Sequence, residues 1–354
     1  MTKHWSDWPQ EVISLCRNGT AIPAAPLALN SSLEFDPVRQ RALARYYLDA
    51  GAGGIAIGVH TTQFEIREAG LYRPVLEQVS SAADTWSDRP VIKVAGIVGR
   101  TQQANREADI AQATGYHAGL LSLSSFKNAG EAEIISHCRM IAKSIPLIGF
   151  YLQPAVGGIR LSTDFWMKFA GIDNVVAIKI APFNRYQTLD VLRGVVAAEA
   201  EERISLYTGN DDNIISDLIT PYNIMRRGDP VRLHIAGGLL GHWSVWTKSA
   251  VELHRRCLNF VSSGGTADME LLGLSGQVLD CNAVFFDAAN DFKGCIPGIH
   301  EVLRRQGLLE GNWCLDPNEV MSPGQAEEID RVFREYPQFD DTEFVREHLH
   351  HWLS

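Results

Sequence analysis

A lysine set in an apolar run raises the first chemical question. In VVAIKIA (175–181) every residue except Lys179 is branched or small and apolar, and an unpaired ammonium group enters such surroundings only at a cost. Strand alternation puts Val176, Ile178 and Ile180 on one bulky face, and Val175, Ala177, Lys179 and Ala181 on the other. Lys179 then points to a side where small neighbours leave space. Desolvation lowers a lysine pKa and leaves a fraction of neutral amine near neutral pH. A neutral amine attacks a ketone or aldehyde carbonyl to give a Schiff base, whose iminium stabilises a carbanion or enamine at the adjacent carbon. Such chemistry needs a proton shuttle. In LIGFYLQ (147–153) Ile148, Phe150 and Leu152 form the bulky face, and Leu147, Gly149, Tyr151 and Gln153 share the side of Lys179. Tyr151 is therefore the expected shuttle. The alternative is a structural lysine that pairs with a buried carboxylate or snorkels to a strand end. Lys93, near the start of PVIKVAGIV (90–98), reads as structural by its position.

The elements that must position these residues follow from periodicity. Eight short apolar runs recur: 22–30, 54–60, 90–98, 117–125, 146–153, 175–181, 204–210 and 232–238. Amphipathic spacers separate most of them. DPVRQRALARYYLDAG (36–51) has an Asp-Pro start and a Gly stop, and TQQANREADIAQATG (101–115) is another helix. Strand-helix alternation implies parallel strands, and eight units in this span predict an α/β fold, a (β/α)8 TIM barrel. A doubly wound sheet is the alternative. The predicted organisation is an extension over 1–20, the barrel over 21–242 and a helical C-terminal region over 243–354. The inward faces carry Lys179, Tyr151, Thr62, His60 and His234 near the C-terminal strand ends, where barrel enzymes place their sites. The segment 322–336 reads as a capped helix and the tail as a short solvated one whose His348, His350 and His351 face water.

Composition narrows the function. The formal charge of −10 argues against a nucleic-acid or anionic-membrane partner. No apolar run approaches a membrane span, and MTKHWSDWPQEV lacks the apolar core of a secretory signal. The six cysteines are scattered without Cys-x-x-Cys spacing and read as reduced core thiols of a cytoplasmic protein. AGAGGIAIG (50–58) has helix before and strand after, the wrong order for a dinucleotide fingerprint. Asp211, Asp212 and Asn213 read as a cap for the next helix.

Tyr151 followed by Pro154, with Lys179 in V-x-x-I-K, resembles the dihydrodipicolinate synthase and N-acetylneuraminate lyase family of class I aldolases. There a Tyr-x-x-Pro strand end precedes a Schiff-base lysine at this spacing. Thr61-Thr62 resembles the family's Gly-Thr-Thr-Gly-Glu turn, which implies that the pair holds the carboxylate of pyruvate or another 2-oxo acid. TGNDD (208–212), with Gly209, resembles the family's strand-seven end, and IAGGLLGHW its eighth strand, where Gly237 and Gly238 leave room for substrate. KVAGIVGRTQQANREA and FKGCIPGIHEVLRRQGL extend the resemblance to roughly residues 20–336.

The sequence also departs from that pattern. The turn reads His60-Thr61-Thr62-Gln63-Phe64, without the following Gly and Glu. LSLSSFKN carries no strand-four tyrosine, and Pro154 is followed by Ala155, Val156 and Gly157, with Arg160 late. These losses argue against true dihydrodipicolinate synthase activity, and His60 and Gln153 are candidate replacement contacts. The expectation is a class I aldolase, lyase or hydro-lyase acting on a 2-oxo acid. It needs no metal or organic cofactor because the imine is the electron sink. The family resemblance implies a homo-oligomer, a dimer or tetramer. The alternatives are a catalytically degenerate barrel that binds a 2-oxo acid or sugar acid as sensor or scaffold, and a metal-dependent enzyme using His60, His234 and Asp211.

Overall fold

The computed structural model describes residues 4–264 and 269–354. A first helix, α1 (Gln10–Asn18), leads into β1 (Ala21–Pro23). Strands and helices then alternate: α2 (Pro37–Asp49), β2 (Gly54–Ile57), α3 (Tyr72–Trp86), β3 (Ile92–Ile97), α4 (Thr101–Ala113), β4 (Ala118–Leu121), α5 (Glu131–Ile141), β5 (Leu147–Leu152), α6 (Thr163–Ala170), β6 (Val175–Ala181), α7 (Arg185–Ala197), β7 (Ser205–Thr208) and α8 (Ile214–Ile219). An antiparallel hairpin, β8 (Tyr222–Arg226) and β9 (Asp229–Leu233), intervenes before β10 (Gly237–Leu240). One sheet holds the other eight strands in the order β1-β10-β7-β6-β5-β4-β3-β2. A parallel bridge between Ala24 and Ala56 joins the two ends of that series. The fold is a (β/α)8 barrel with a helical C-terminal extension, α9 (Thr247–Ser262), α10 (Met269–Phe285), α11 (Cys295–Arg305), α12 (Gln325–Glu335) and α13 (Thr342–Leu353).

Local signals place the elements. Asp36 caps α2 by accepting from the amides of Val38 and Arg39, both at 3.0 Å, with Pro37 behind it in the first turn. The chain leaves that helix through Gly51 at φ 95°. Asn184 caps α7 through Tyr186 and Gln187. The run at 232–238 corrects the expected eighth strand. Leu233 ends the hairpin, His234 is an exposed connector, and the barrel strand begins only at Gly237. The positive φ values of Arg227 and Gly228 make the tight hairpin turn.

The chain packs as two compact units, Ile92–Leu239 with the chain up to Thr20, and Ala21–Val91 with Leu240–Ser354. In the first, the Tyr207 hydroxyl of β7 donates to the Cys16 carbonyl of α1 at 2.9 Å. In the second, Asp341 is buried at the start of α13. It accepts from the Tyr46 hydroxyl at 2.7 Å, the Lys248 amide at 3.0 Å and the Gln306 side chain at 2.7 Å. A buried carboxylate satisfied on this scale fixes the helices that supply its donors.

The tail helix is solvated on one side only: His350 and His351 are exposed, as the sequence expectation had them, while the opposite side packs inward. Trp352 is fully buried, its indole N–H donates to Asp49 at 2.7 Å, and Arg45 binds the Trp352 carbonyl at 2.8 Å. All six cysteines are buried. Among the described residues, no helix is long and apolar enough to cross a membrane. Trp352→Ala should cost about 3–5 kcal/mol of stability, read as a lowered denaturation midpoint. A shift under about 1 kcal/mol would show that the tail helix adds little to the packing.

Candidate active site

The site in the first unit is built around Lys179 on β6. Register fixes which residues share its side: Phe150 on β5 and Tyr207 on β7 are its lateral partners, and Gly237 on β10 pairs with Tyr207. Residues in register on parallel strands point the same way. The Lys179 Nζ lies 4.6 Å from the centroid of the Phe150 ring. Lys179 is buried, and its pKa falls from 10.5 to about 8 because burial penalises the ammonium, with the negative charge of Asp211 opposing part of that shift. About a tenth of the amine is then neutral at pH 7, far more than for a solvated lysine.

Gly209 provides the space. A Cβ there would lie 2.4 Å from Lys179 Cε and 2.8 Å from Ala181 Cβ, so any side chain would displace the lysine. Its amide extends the ladder by donating to the Ile180 carbonyl at 2.7 Å. The loop after it is held by Asp217 of α8, whose side chain is fully buried. Asp217 accepts from Thr208 at 2.7 Å, Asn210 at 2.9 Å and Asn213 at 3.2 Å, and is ion-paired with Arg185. Asn210 in turn accepts from the Phe183 amide at 2.9 Å, where Phe183 adopts φ 51°. One buried carboxylate thus ties the loops after β6 and β7 together. Asn213 occupies the N-cap position of α8 but makes no side-chain cap, so the expected capping role of this segment is not seen. Asp217 and Arg185 were missed in the sequence, although an acid inside the apolar IISDLI segment was the available signal.

Tyr151 occupies a different place from the one alternation predicts. Its hydroxyl donates to the Leu161 carbonyl at 3.1 Å and accepts from the Leu161 amide at 3.2 Å, and its ring packs 5.1 Å from Trp166 of α6. Gly149, two residues earlier, also faces α6, where a Cβ would meet the Phe169 ring at 2.6 Å. The two faces of β5 are therefore exchanged relative to the sequence reading. Phe150 is beside the lysine, and burial raises the pKa of Tyr151 among the helices. The cause is a register shift: Leu147 pairs with Val175 but Ile148 pairs with Ala177, so β6 carries one extra residue.

Gln153 contributes its carbonyl to the following turn, accepting from the Gly158 amide at 2.9 Å. That turn needs glycine, since a Cβ at Gly158 would lie 1.8 Å from the Leu152 carbonyl oxygen. Gly237 is occupied by packing rather than left open, because a Cβ there would meet Tyr207 at 2.6 Å and the Thr20 carbonyl at 2.5 Å. Gly238 donates its amide to Thr20 at 3.2 Å.

In the second unit, Thr61 and Thr62 follow β2 in a short 3-10 turn with His60. The Thr61 hydroxyl donates to the Ala24 carbonyl at 2.6 Å, and that of Thr62 to the Ala25 carbonyl at 2.7 Å. Thr62 Oγ1 also accepts from the Gly58 amide at 2.9 Å. Both hydroxyl protons are thus committed, and the amides of Thr62 and Gln63 donate to the Val59 and His60 carbonyls at 3.0 and 2.9 Å. Gln63 takes φ 66° after the pair, and its side chain accepts from the Leu315 amide at 2.6 Å. His60 is half-buried, with its ring 5.9 Å from Phe64. Among the described residues, no three His, Cys, Asp or Glu side chains cluster closely enough to hold a metal ion.

A family model described as the dihydrodipicolinate synthetase family matches residues 19–220. A 4-hydroxy-tetrahydrodipicolinate synthase from Clostridium novyi (strain NT) is 28% identical over 141 residues, 39% of this chain and 46% of that protein. Another, from Desulforudis audaxviator (strain MP104C), is 24% identical over 198 residues, 54% and 63% of the two chains. The chain thus spans between about half and just under two thirds of these relatives. The solved dihydrodipicolinate synthase from Oceanobacillus iheyensis superposes with a TM-score of 0.74 at 16% identity, covering 92% of this chain and 99% of that one. The Acinetobacter baumannii enzyme, described as complexed with pyruvate, gives 0.73 at 16% identity, covering 90% and 98%. At these identities the likeness to solved structures is one of fold.

The geometry predicts an unusual titration. Labelling of Lys179 by an amine-reactive anhydride should rise with pH through a midpoint near 8, because only the neutral amine reacts. Quantitative mass spectrometry would follow it against exposed lysines, which titrate near 10.4. A Lys179 midpoint at the solvent value would contradict the desolvated setting.

Proposed function

This chain belongs to the dihydrodipicolinate synthetase family, and from that premise we propose that it is a Schiff-base-forming lyase or aldolase acting on pyruvate or another 2-oxo acid. The observation that carries the reading is Lys179, a buried amine with its pKa pulled toward neutrality and a glycine kept beside it. The amine attacks the 2-oxo carbonyl, water leaves, and the iminium accepts electron density from the neighbouring carbon. Thr61 and Thr62, in the turn that resembles the family's carboxylate-binding one, are candidate carboxylate contacts, although their hydroxyls are engaged with Ala24 and Ala25 and the Thr62 amide with Val59. Gly209 admits the lysine, while Tyr151 supports the β5–α6 loop. His60 and Gln153 are candidates to contact the distal part of the substrate. The lost Gly-Glu pair favours a substrate other than that of the true synthases. A homo-oligomer and a cytoplasmic setting complete the reading, in keeping with the acidic charge and the buried thiols.

One observation favours a second reading, a degenerate barrel that binds a 2-oxo acid without turning it over. The residue against Lys179 is Phe150, which has no proton to give.

Borohydride reduction in the presence of pyruvate and a panel of 2-oxo acids tests the proposal. The expected result is a reduced adduct on Lys179, located by peptide mass spectrometry and absent from Lys179→Ala. Folded protein that gives no adduct with any acid would move the assignment to the binding role.

A further inference from the structure

Adjacent residues of β5 look in opposite directions. Phe150 stands in register with Lys179, its ring 4.6 Å from Nζ. Tyr151 turns to the helix side, where its hydroxyl binds both backbone groups of Leu161. Leu161 is also a wall of a cleft of about 440 Å³ between the loops that follow β4 and β5. That size falls in the range of small-molecule sites. Among the described residues, none of β6 or β7 lines it. The cleft therefore belongs to the helix side of the sheet, and the amine to the other.

The lining selects a class of ligand. Phe126, Ile134 and Leu161 are buried and apolar, so covering them with an apolar body is favourable. Lys127 and Arg160 line the same cleft, one from each loop, and both are exposed. Neither is ion-paired among the described residues. Such side chains lay their stems on apolar surface and keep the charged head at the rim, where a guanidinium fork matches a carboxylate. The acid of the lining is Glu131. Its two oxygens accept from the amide and the hydroxyl of Ser162, both at 2.8 Å, so its bonds go to the start of α6 and not to the two cations. Two cations against one carboxylate leave the lining with a single net positive charge, which suits a monoanion better than a dianion.

We propose that this cleft is a binding site, separate from the Lys179 centre, for a small monocarboxylate with an aliphatic or aromatic body. The body lies against Phe126, Ile134 and Leu161, and the carboxylate meets Lys127 and Arg160 at the rim. The site stands apart from the Schiff-base reading, because a carboxylate without a 2-oxo group forms no imine. Its occupant touches Leu161, the residue that holds Tyr151, so binding here reaches β5.

Hexanoate is the probe, and hexanamide its uncharged counterpart. Protein labelled at isoleucine and leucine methyl groups is titrated with each and followed by NMR. Hexanoate should shift the methyl signals of Ile134, Leu161 and Ile159, which also lines the cleft, and the shifts should saturate in the unaltered protein and in Lys179→Ala alike. Replacing both exposed cations, Lys127→Gln with Arg160→Gln, should weaken hexanoate by about tenfold or more and leave hexanamide unchanged. Ala129→Phe, which fills the cleft, should abolish the shifts. Equal affinity for hexanoate and hexanamide, or unchanged hexanoate affinity in the double variant, overturns the assigned class of ligand. Shifts that persist in Ala129→Phe, shifts that are lost in Lys179→Ala, or the absence of saturable shifts overturn the site itself. None of these outcomes bears on borohydride trapping at Lys179, so the two readings fail independently.

Discussion

Withdrawing one ammonium group from water is the constraint around which the first unit is arranged. Burial alone would drive Lys179 toward the neutral amine, and a fully isolated charge there would be very costly. The structure settles on an intermediate state through its immediate neighbours. The Phe150 face and Asp211 favour the cation, while burial opposes it. Because the amine is balanced between two forms, small displacements of its neighbours would change its reactivity. Asp217 fixes both loops through three neutral donors and an arginine, so its charge is neutralised locally by Arg185.

Much of this was legible in the sequence, and the reasons for the rest are physical. The repeat of apolar runs gave the barrel because each run has the length of a parallel strand and most are followed by a helix, three of which (α2, α6 and α7) carry a side-chain N-cap. The inward direction of Lys179 followed from the bulk of Val176, Ile178 and Ile180. The direction of Tyr151 did not, because an extra residue in β6 changes the pairing between strands and leaves no mark in the β5 sequence. Without that shift Tyr151 would lie in register with Lys179, as alternation predicts. With it, Phe150 takes that place. His234 was misread because the exposed hairpin runs directly into the last barrel strand, and the apolar pattern does not mark the join.

The threonine turn shows how a departure in residue type can preserve a backbone demand. The residue after Thr62 adopts φ 66° and ψ 128°, a positive-φ conformation that glycine meets freely and glutamine meets at a cost on the order of 1–3 kcal/mol. Gln63 offsets that strain with a short bond to Leu315, so a distant segment stabilises a conformation that a glycine would need no help to hold. The hydroxyl partners of Thr61 and Thr62 were equally invisible in sequence, since they are carbonyls 37 residues earlier in the chain.

The bonds between Tyr151 and Leu161 have a consequence for how this protein can diversify. They close the chain from 151 to 161 into a ring of fixed circumference, and within it Gly158 folds back on Leu152 without room for a side chain. An insertion or deletion in that ring would unlatch the tyrosine from α6, whereas a substitution at Ala155, Val156, Ile159 or Arg160 would leave the latch intact. Side-chain change is therefore accessible on a loop of constant length. Descendants of this chain should differ here in chemistry long before they differ in size.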